Sequence, residues 1–348
     1  MGKCCKIKEV IGGEFSVSLD GKSYTLNKKA RGYYYASGRT SLSVILEAVK
    51  ESRGAEKITI CAPDYVCGSV INTIKDSGTK ILFFRVGVDM LPSDDLYEIV
   101  PVSDALLLVN YFGLVDLDPI IAKIKKLNDS IVIIIDDVMN YYGFGEYTGY
   151  DYSFNSFRKW FPVPDGAEIK CKHQESIRKT FDVENTFYKY KLAGNILKNY
   201  QELVGIDLCL ELLDKGEELL DREHMASGSG FTETVMETIN KNSASLRRKS
   251  NASILHEGLT DMGIEHLYDQ ESTPLFVPII LKRNRDKIRK LFFENNVFCP
   301  IHWPSAWQDD FSGLELNPLY EWELSLICDQ RYGESEMLKQ LEILKHAV

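Results

Sequence analysis

The sequence predicts an α/β protein built on a mainly parallel, doubly wound sheet, with a smaller C-terminal α/β domain. Three observations carry this. Between residues 38 and 137, short β-rich runs alternate with amphipathic helical patterns, as parallel strands joined by crossover helices do. At 348 residues the chain exceeds what one core organises, at roughly 150 residues per domain, so two lobes are expected. A composition that is 44% hydrophobic and 26% charged supplies a sizeable core and leaves no low-complexity arm.

Residues 57–61, 80–85, 105–110 and 131–136 read as strands. Residues 41–50, 66–76 and 119–127 carry apolar side chains at three- and four-residue spacing and read as helices. Past Asn140 the pattern loosens into an aromatic, glycine-rich stretch. Strands at 151–156 and 167–171 then flank a loop whose shape is set by Pro162, Pro164 and Gly166. Residues 184–259 are mainly helical, broken at Ser227-Gly228-Ser229-Gly230, which supplies a flexible link and a helix N-cap. A strand at 275–281, a helix through Phe293 and a last helix from Ser335 make up a small α/β lobe. This places a large domain at residues 1–235 and a small one at 236–348. No internal repeat is visible.

A net charge of -10 argues against a nucleic-acid binder, whose affinity rests on clustered Lys and Arg. The basic run 282–290 is interrupted by Ile288, with Leu291 one helical step on, and reads as a solvated helix face. Eight cysteines with no CxxC pair support neither a zinc site nor a disulfide framework, and read as buried thiols in a reducing cytosol. The longest apolar stretches, near Leu106 and Ile133, fall short of the roughly 18 residues that span a bilayer. Lys6 stands where a myristoylation motif wants Ser or Thr. A cytoplasmic protein with no metal, membrane or nucleic-acid partner is expected.

In doubly wound sheets, ligands sit at the carboxyl ends of strands, so polar residues just past each strand are the candidates. Ser37-Gly38-Arg39-Thr40-Ser41 opens the first helix with small residues. Free backbone N–H groups and the helix dipole there can hold a phosphate dianion, with Arg39 adding a charge-assisted contact. Taken alone, Ser-Gly at a helix start is more often only a cap. The strand ending at Ile135 runs into Asp136-Asp137, with Asn140 shortly after. A carboxylate there can keep a pyridine nitrogen protonated, making the ring an electron sink, while Asn140 reaches its phenolic oxygen. The plain alternative is an Asp that hydrogen-bonds the turn.

In Asn155-Ser156-Phe157-Arg158-Lys159-Trp160, a lysine sits among aromatic residues after a strand. Desolvation by such neighbours weakens its preference for the ammonium form and makes it a Schiff-base nucleophile and proton shuttle. Ser156 can bond the same phosphate. A surface lysine whose stem covers Trp160 reads the same way. His302, beside Trp303 and Pro304, reads as packing, and Arg331 as the partner of either a substrate carboxylate or Asp329.

The order of helix start, strand-end Asp and lysine resembles the fold type I pyridoxal phosphate-dependent transferases, and specifically the DegT/DnrJ/StrS sugar aminotransferases. Pro63-Asp64-Tyr65, Asn110-Tyr111-Phe112-Gly113 and Ile301-His302-Trp303-Pro304 extend the resemblance over most of the chain. The family's phosphate motif falls on Ser37, Gly38, Arg39 and Thr40, with Arg39 in place of a threonine. Its Asp followed three residues later by Gln or His falls on Asp137 and Asn140, which favours Asp137 over Asp136 as the ring partner. Its lysine falls on Lys159, where Arg-Lys-Trp-Phe-Pro-Val-Pro-Asp-Gly departs from the usual pattern. Its ring-stacking aromatic falls on Cys67, with Tyr65 as the alternative.

The resemblance therefore implies pyridoxal 5'-phosphate held by Gly38, Arg39, Thr40, Tyr65, Cys67, Asp137, Asn140, Ser156 and Lys159, with Lys159 catalytic. It implies an aminotransferase that moves an amino group from an amino acid, glutamate by family expectation, to a nucleotide-linked keto sugar. It also implies a homodimer with active sites at the subunit boundary and the stretch 187–200 as a candidate contact. A lyase or decarboxylase on the same fold, or a non-catalytic sensor that kept it, are the rival readings.

Overall fold

The computed structural model describes residues 10–17, 34–172, 177, 181, 185–222, 225–311 and 313–347. A two-residue strand, β1 (Ile11–Gly12), joins the C-terminal lobe before the chain enters the large sheet through α1 (Gly38–Arg53). There follow β2 (Thr59–Pro63), α2 (Gly68–Asp76), β3 (Lys80–Phe84), the short α3 (Leu96–Ile99), β4 (Ala105–Val109), α4 (Asp118–Leu127) and β5 (Val132–Asp136). Next come β6 (Tyr152–Phe154) and β7 (Ile169–Cys171). The six strands lie in the order β3-β2-β4-β5-β6-β7. All neighbours are parallel except β6 and β7, which close the sheet antiparallel.

The centre of this sheet follows from its composition. The sequence of β4 is Ala-Leu-Leu-Leu-Val and every residue is buried, as a strand covered by helices on both faces requires. Helix α1 is bounded by its own chemistry: Ser37 Oγ accepts the Thr40 N–H at 3.2 Å, and Gly54 ends the helix at φ 60°. Chain order runs from β2 outward to β3 and then back across β2 to β4, so the topological switch lies between β2 and β4.

The helical stretch comprises α5 (Phe187–Leu197), α6 (Gln201–Val204), α7 (Ile206–Arg222), α8 (Gly230–Thr238) and α9 (Lys241–Asp261). Ser229 caps α8 as expected, its Oγ accepting the Thr232 N–H at 3.2 Å. A second core then forms from α9 with β8 (Val277–Ile280), α10 (Arg285–Glu294), β9 (Val297–Phe298), β10 (Glu323–Leu326) and α12 (Glu334–Lys345), whereas the short α11 (Leu319–Trp322) packs on the first. Here β8 pairs antiparallel with β10 and β1 pairs parallel with β9, around Leu255, Phe292, Leu324 and Leu344. The sequence reading had no strand for β1, β9 or β10. They are short, and their pairing joins segments that are remote in the chain.

The segment before β10 straps back onto the end of β2. Asn317 Nδ2 donates to Asp64 Oδ1 at 2.8 Å, Gln308 Nε2 to the Asp64 carbonyl at 3.1 Å, and the Tyr320 hydroxyl to the Val66 carbonyl at 2.9 Å. On the other side, the loop carrying Lys159 is pinned at Gly166. This residue accepts the Phe157 N–H and donates to the Ala36 carbonyl, both at 2.9 Å. Gly166 has φ +102°, and a Cβ there would lie 2.7 Å from both Phe157 and Thr232. Gly166→Ala should therefore destabilise the protein by about 1–3 kcal/mol in a denaturant titration, since both conformation and space exclude a side chain. An unchanged unfolding midpoint would show that the loop relaxes freely.

Candidate active site

The carboxyl ends of β2, β4, β5 and β6 open into a cavity of about 590 Å³, walled on the far side by the C-terminal lobe. The start of α1 forms one pole. Ser37, Gly38 and Arg39 line it together with Ser156, and the first-turn N–H groups of Gly38 and Arg39 have no intrahelical acceptor. Arg39 is ion-paired with Asp221 of α7. Thr40, expected at the same pole, is fully buried within the cap, its hydroxyl 3.2 Å from Ser37 Oγ, and does not line the cavity.

The end of β5 sets the floor. Successive residues of a strand face opposite sides, so only one of two adjacent carboxylates can face the cavity. That residue is Asp136. Burial raises its carboxyl to about 7; the Val138 N–H, 2.9 Å from Oδ1, opposes this, the neighbouring Asp137 adds to it, and the charge of Lys159 opposes it again.

Asp137 is fully buried outside the cavity. It accepts hydrogen bonds from the Ser153 hydroxyl at 2.5 Å, the Tyr147 hydroxyl at 2.5 Å, the Gly145 N–H at 3.0 Å and Asn140 Nδ2 at 3.0 Å. Burial raises its carboxyl to about 6 despite these donors. Asn140 is held in the same knot, also donating to the Tyr147 hydroxyl at 2.8 Å. Of the two strand-end carboxylates it is thus Asp136 that lines the cavity, whereas Asp137 and Asn140, both expected there, do not reach it.

Lys159 ends a single 3-10 turn, Phe157–Lys159, and lines the cavity. Its amine makes no hydrogen bond or ion pair among the described residues, and the side chain is exposed rather than desolvated. The aromatic neighbours position the turn instead: Trp160 is buried, and its Nε1 donates to the Val138 carbonyl at 2.9 Å. At β2 the structure chooses Cys67, which lines the cavity. Tyr65 is sealed behind it, stacked on Tyr111 at 5.6 Å and packed on Trp303 and Tyr320.

His302 does face the cavity. Its backbone N–H donates to the fully buried Glu323 at 2.7 Å, and its Nδ1 lies 3.0 Å from Ser325 Oγ. Arg331 is held by Asp329 through two hydrogen bonds of 2.9 and 2.7 Å, which settles its partner among the protein's own groups. Arg158 and Arg248 also line the cavity and were not singled out in the sequence. Arg158 pairs with Glu217 at 2.9 Å, and Lys191 joins the same carboxylate at 2.5 Å. No local motif marks these contacts, because the partners lie on separate elements. Among the described residues there is no group of His, Cys, Asp and Glu able to hold a metal ion, and no helix is long and apolar enough to cross a membrane.

No family model matches this chain, and neither does the sequence of any curated protein. Solved structures do. Spr1654 from Streptococcus pneumoniae, assigned as a sugar aminotransferase and solved in its PLP form, is 13% identical over 97% of this chain and 94% of its own, with a TM-score of 0.65. DesV from S. venezuelae, in complex with a ketimine intermediate, is 14% identical over 90% and 84%, with a TM-score of 0.61. NtdA from Bacillus subtilis, with bound cofactor PMP, is 17% identical over 90% and 72%, with a TM-score of 0.58. At such identities the likeness establishes the fold, the mixed α/β architecture of the fold type I enzymes.

The carboxyl of Asp136 yields a test that needs no ligand. A carboxyl raised from 3.8 to about 7 holds its proton more tightly in the folded than in the unfolded state. Its contribution favours the folded form at low pH and is lost as pH rises from about 4 to about 7, to an upper limit of about 4 kcal/mol. The stability of Asp136→Asn relative to the parent should therefore rise across that interval in matched denaturant titrations. A constant difference would mean that Asp136 ionises as an ordinary surface carboxyl.

Proposed function

We propose that this chain is a pyridoxal 5'-phosphate-dependent aminotransferase that carries an amino group from an amino acid to a keto sugar. The observation that carries the proposal is the convergence on one cavity of an unpaired lysine, a buried strand-end carboxylate and an open helix N-terminus. These three groups match the aldehyde, ring nitrogen and phosphate of that cofactor, and the fold likeness to proteins solved with PLP or PMP supports it. Once bound, the cofactor would supply an aldehyde and an electron-withdrawing ring.

The remaining work falls to the chain's own residues. The N–H groups of Gly38 and Arg39, with the hydroxyl of Ser156, would hold the phosphate at the positive end of α1. Asp136 would keep the ring nitrogen protonated. Asp137 and Asn140 act beneath it, fixing the turn that presents Val138 and Trp160. The amine of Lys159 takes the α-proton of the amino donor and returns a proton to the carbonyl carbon of the acceptor.

Glutamate as donor, a nucleotide-linked acceptor and a cytoplasmic setting belong to the same reading; six described cysteines, all free thiols, are consistent with that setting. So does division into lobes at residues 1–235 and 236–348. The homodimer is supported by exposed apolar side chains on α5 to α7 and the turn within them, among them Tyr190, Tyr200, Leu203, Ile206 and Leu210, beside the expected contact stretch.

Borohydride treatment of the cofactor-loaded protein should fix the label on the peptide containing Lys159, and Lys159→Ala should abolish turnover. A label on another lysine would overturn the assignment. In the half-reaction with glutamate, Asp136→Asn should lose several orders of magnitude in rate, since breaking a buried charge pair costs about 3–5 kcal/mol. Asp137→Asn keeps the cavity carboxylate and should lose far less; the reverse order would return the assignment to Asp137. Light scattering should report a dimer.

A further inference from the structure

His302 faces the cavity from the C-terminal lobe, yet it is only 8% exposed. The Ser325 N–H donates to the Pro300 carbonyl at 3.0 Å and the His302 N–H to Glu323 Oε2 at 2.7 Å, so β10 fixes the backbone on which the ring stands. Glu323 is fully buried. Its other oxygen, Oε1, accepts the Ser325 hydroxyl at 2.5 Å, and Ser325 Oγ lies 3.0 Å from His302 Nδ1. A hydroxyl that gives its one proton to a carboxylate can meet a ring nitrogen only as an acceptor. Nδ1 therefore carries the ring proton, and Nε2 keeps a lone pair. Nε2 lies across the ring from this relay and has no hydrogen-bond partner among the described residues, which leaves it to the cavity.

Packing accounts for the rings of Phe112, Phe276 and Trp303 around the imidazole, at centroid separations of 5.3, 5.3 and 5.4 Å. It does not account for a buried carboxylate and a hydroxyl committed to fixing one tautomer. An imidazole backed in this way takes up and returns protons through its free nitrogen. Other acids of the cavity are engaged: Glu14, Glu217 and Asp329 are ion-paired with Lys191, Arg158 and Arg331 respectively. The thiol of Cys67 shares a hydrogen bond with Ser69 at 3.1 Å and has no such relay behind it.

We propose that His302 is a proton-exchanging group of this cavity, acting through Nε2 on an oxygen of the ligand, with Ser325 and Glu323 as its positioning residues. In terms of the proposed function, on which the identity of that oxygen rests, it is the oxygen of water. Lys159 serves the proton on carbon. Amino transfer also exchanges oxygen, because one water is consumed when the keto product is released and one is formed when the acceptor is aminated. On release, the water oxygen bonds to the carbon of the C=N group and one of its protons passes to Nε2. Nε2 returns that proton to the nitrogen. The C–N bond then breaks and the remaining hydroxyl proton also ends on the nitrogen, leaving C=O and NH2. Amination of the acceptor runs these steps in reverse, with no oxidant and no further reactant.

The first test reads the ring itself. In nitrogen NMR spectra of the histidine-labelled, cofactor-loaded protein, recorded above the range in which imidazoles titrate, His302 should stand as the Nδ1–H tautomer. His302→Gln identifies its signal, and Ser325→Ala should abolish the preference. The second test follows the cofactor absorbance in the half-reaction with glutamate and with α-deuterated glutamate. His302→Gln should slow the conversion about 100-fold, the lower end of what general acid–base catalysis supplies. It should also shrink the deuterium isotope effect, because the water step then limits in place of C–H cleavage. A residue that only packs would lower the rate and leave the isotope effect as it was. Ser325→Ala, which removes the relay and keeps the imidazole, should move both readouts the same way and decides the matter if the glutamine variant does not fold. An Nε2–H tautomer in the parent, or an unchanged rate or isotope effect in folded His302→Gln, overturns the inference. If no cofactor absorbance develops, or glutamate leaves it unchanged, while the same full chain shows the expected tautomer and its loss in Ser325→Ala, the proposed function fails and the proton-exchanging site stands.

Discussion

Two neighbouring carboxylates at the end of one strand cannot share an environment, and the site depends on how β5 divides them. The pleat turns Asp136 into the cavity and Asp137 into the protein. Asp137 gathers donors from Ser153, Tyr147, Gly145 and Asn140, which fixes the turn after β5. The carbonyl of Val138 in that turn receives Trp160 Nε1, which fixes the turn that ends in Lys159. The position of the free amine is thus set from beneath by a carboxylate it never meets, while the carboxylate it does sense electrostatically is the adjacent one.

Electrostatics divide the cavity in a similar way. The chain as a whole is acidic, yet four arginines and a lysine line this one surface. Carboxylates on α7 neutralise Arg39 and Arg158, and Asp329 neutralises Arg331. The helix start and Arg248 are left as separate positive poles, with Asp136 as the negative point between elements of the large sheet. A surface uniformly positive would hold any anion in any orientation. This one sets two positive points and one negative point at distinct places, an arrangement that would give a small charged ligand a single pose.

The central sheet was legible because its signals are local. A run such as Ala-Leu-Leu-Leu-Val has one outcome when helical patterns flank it, and the strands at 57–61, 80–85, 105–110 and 131–136 appear within two residues of those bounds. The register at Asp136-Asp137 was not local. The family motif, matched on Asp137 and Asn140, favoured Asp137, whereas the face is decided by pairing: Val109 of β4 and Phe154 of β6 lie level with Asp136, and both line the cavity. Lys159 lines the cavity, as its position after a strand suggested, but its side chain is exposed rather than desolvated, since Trp160 turns away to bond a carbonyl. Arg248 left no trace in the sequence. Its acceptors include backbone carbonyls, which carry no residue signature, and Gln330, far along the chain.

The raised carboxyl of Asp136 also bears on what the cavity will accept. Burying this group without a full partner disfavours its charged form and pushes its carboxyl up to about 7. A cation placed against it removes that penalty, and the relief appears as binding free energy rather than as stability of the free protein. A neutral ring gains nothing comparable. A ligand whose nitrogen takes up a proton on binding therefore has an advantage that a shape-matched neutral analogue lacks. The advantage persists only while the floor beneath stays rigid, because a relaxed turn would let water reach the carboxylate and return it toward its ordinary range. The closed knot around Asp137 is what holds that floor in place.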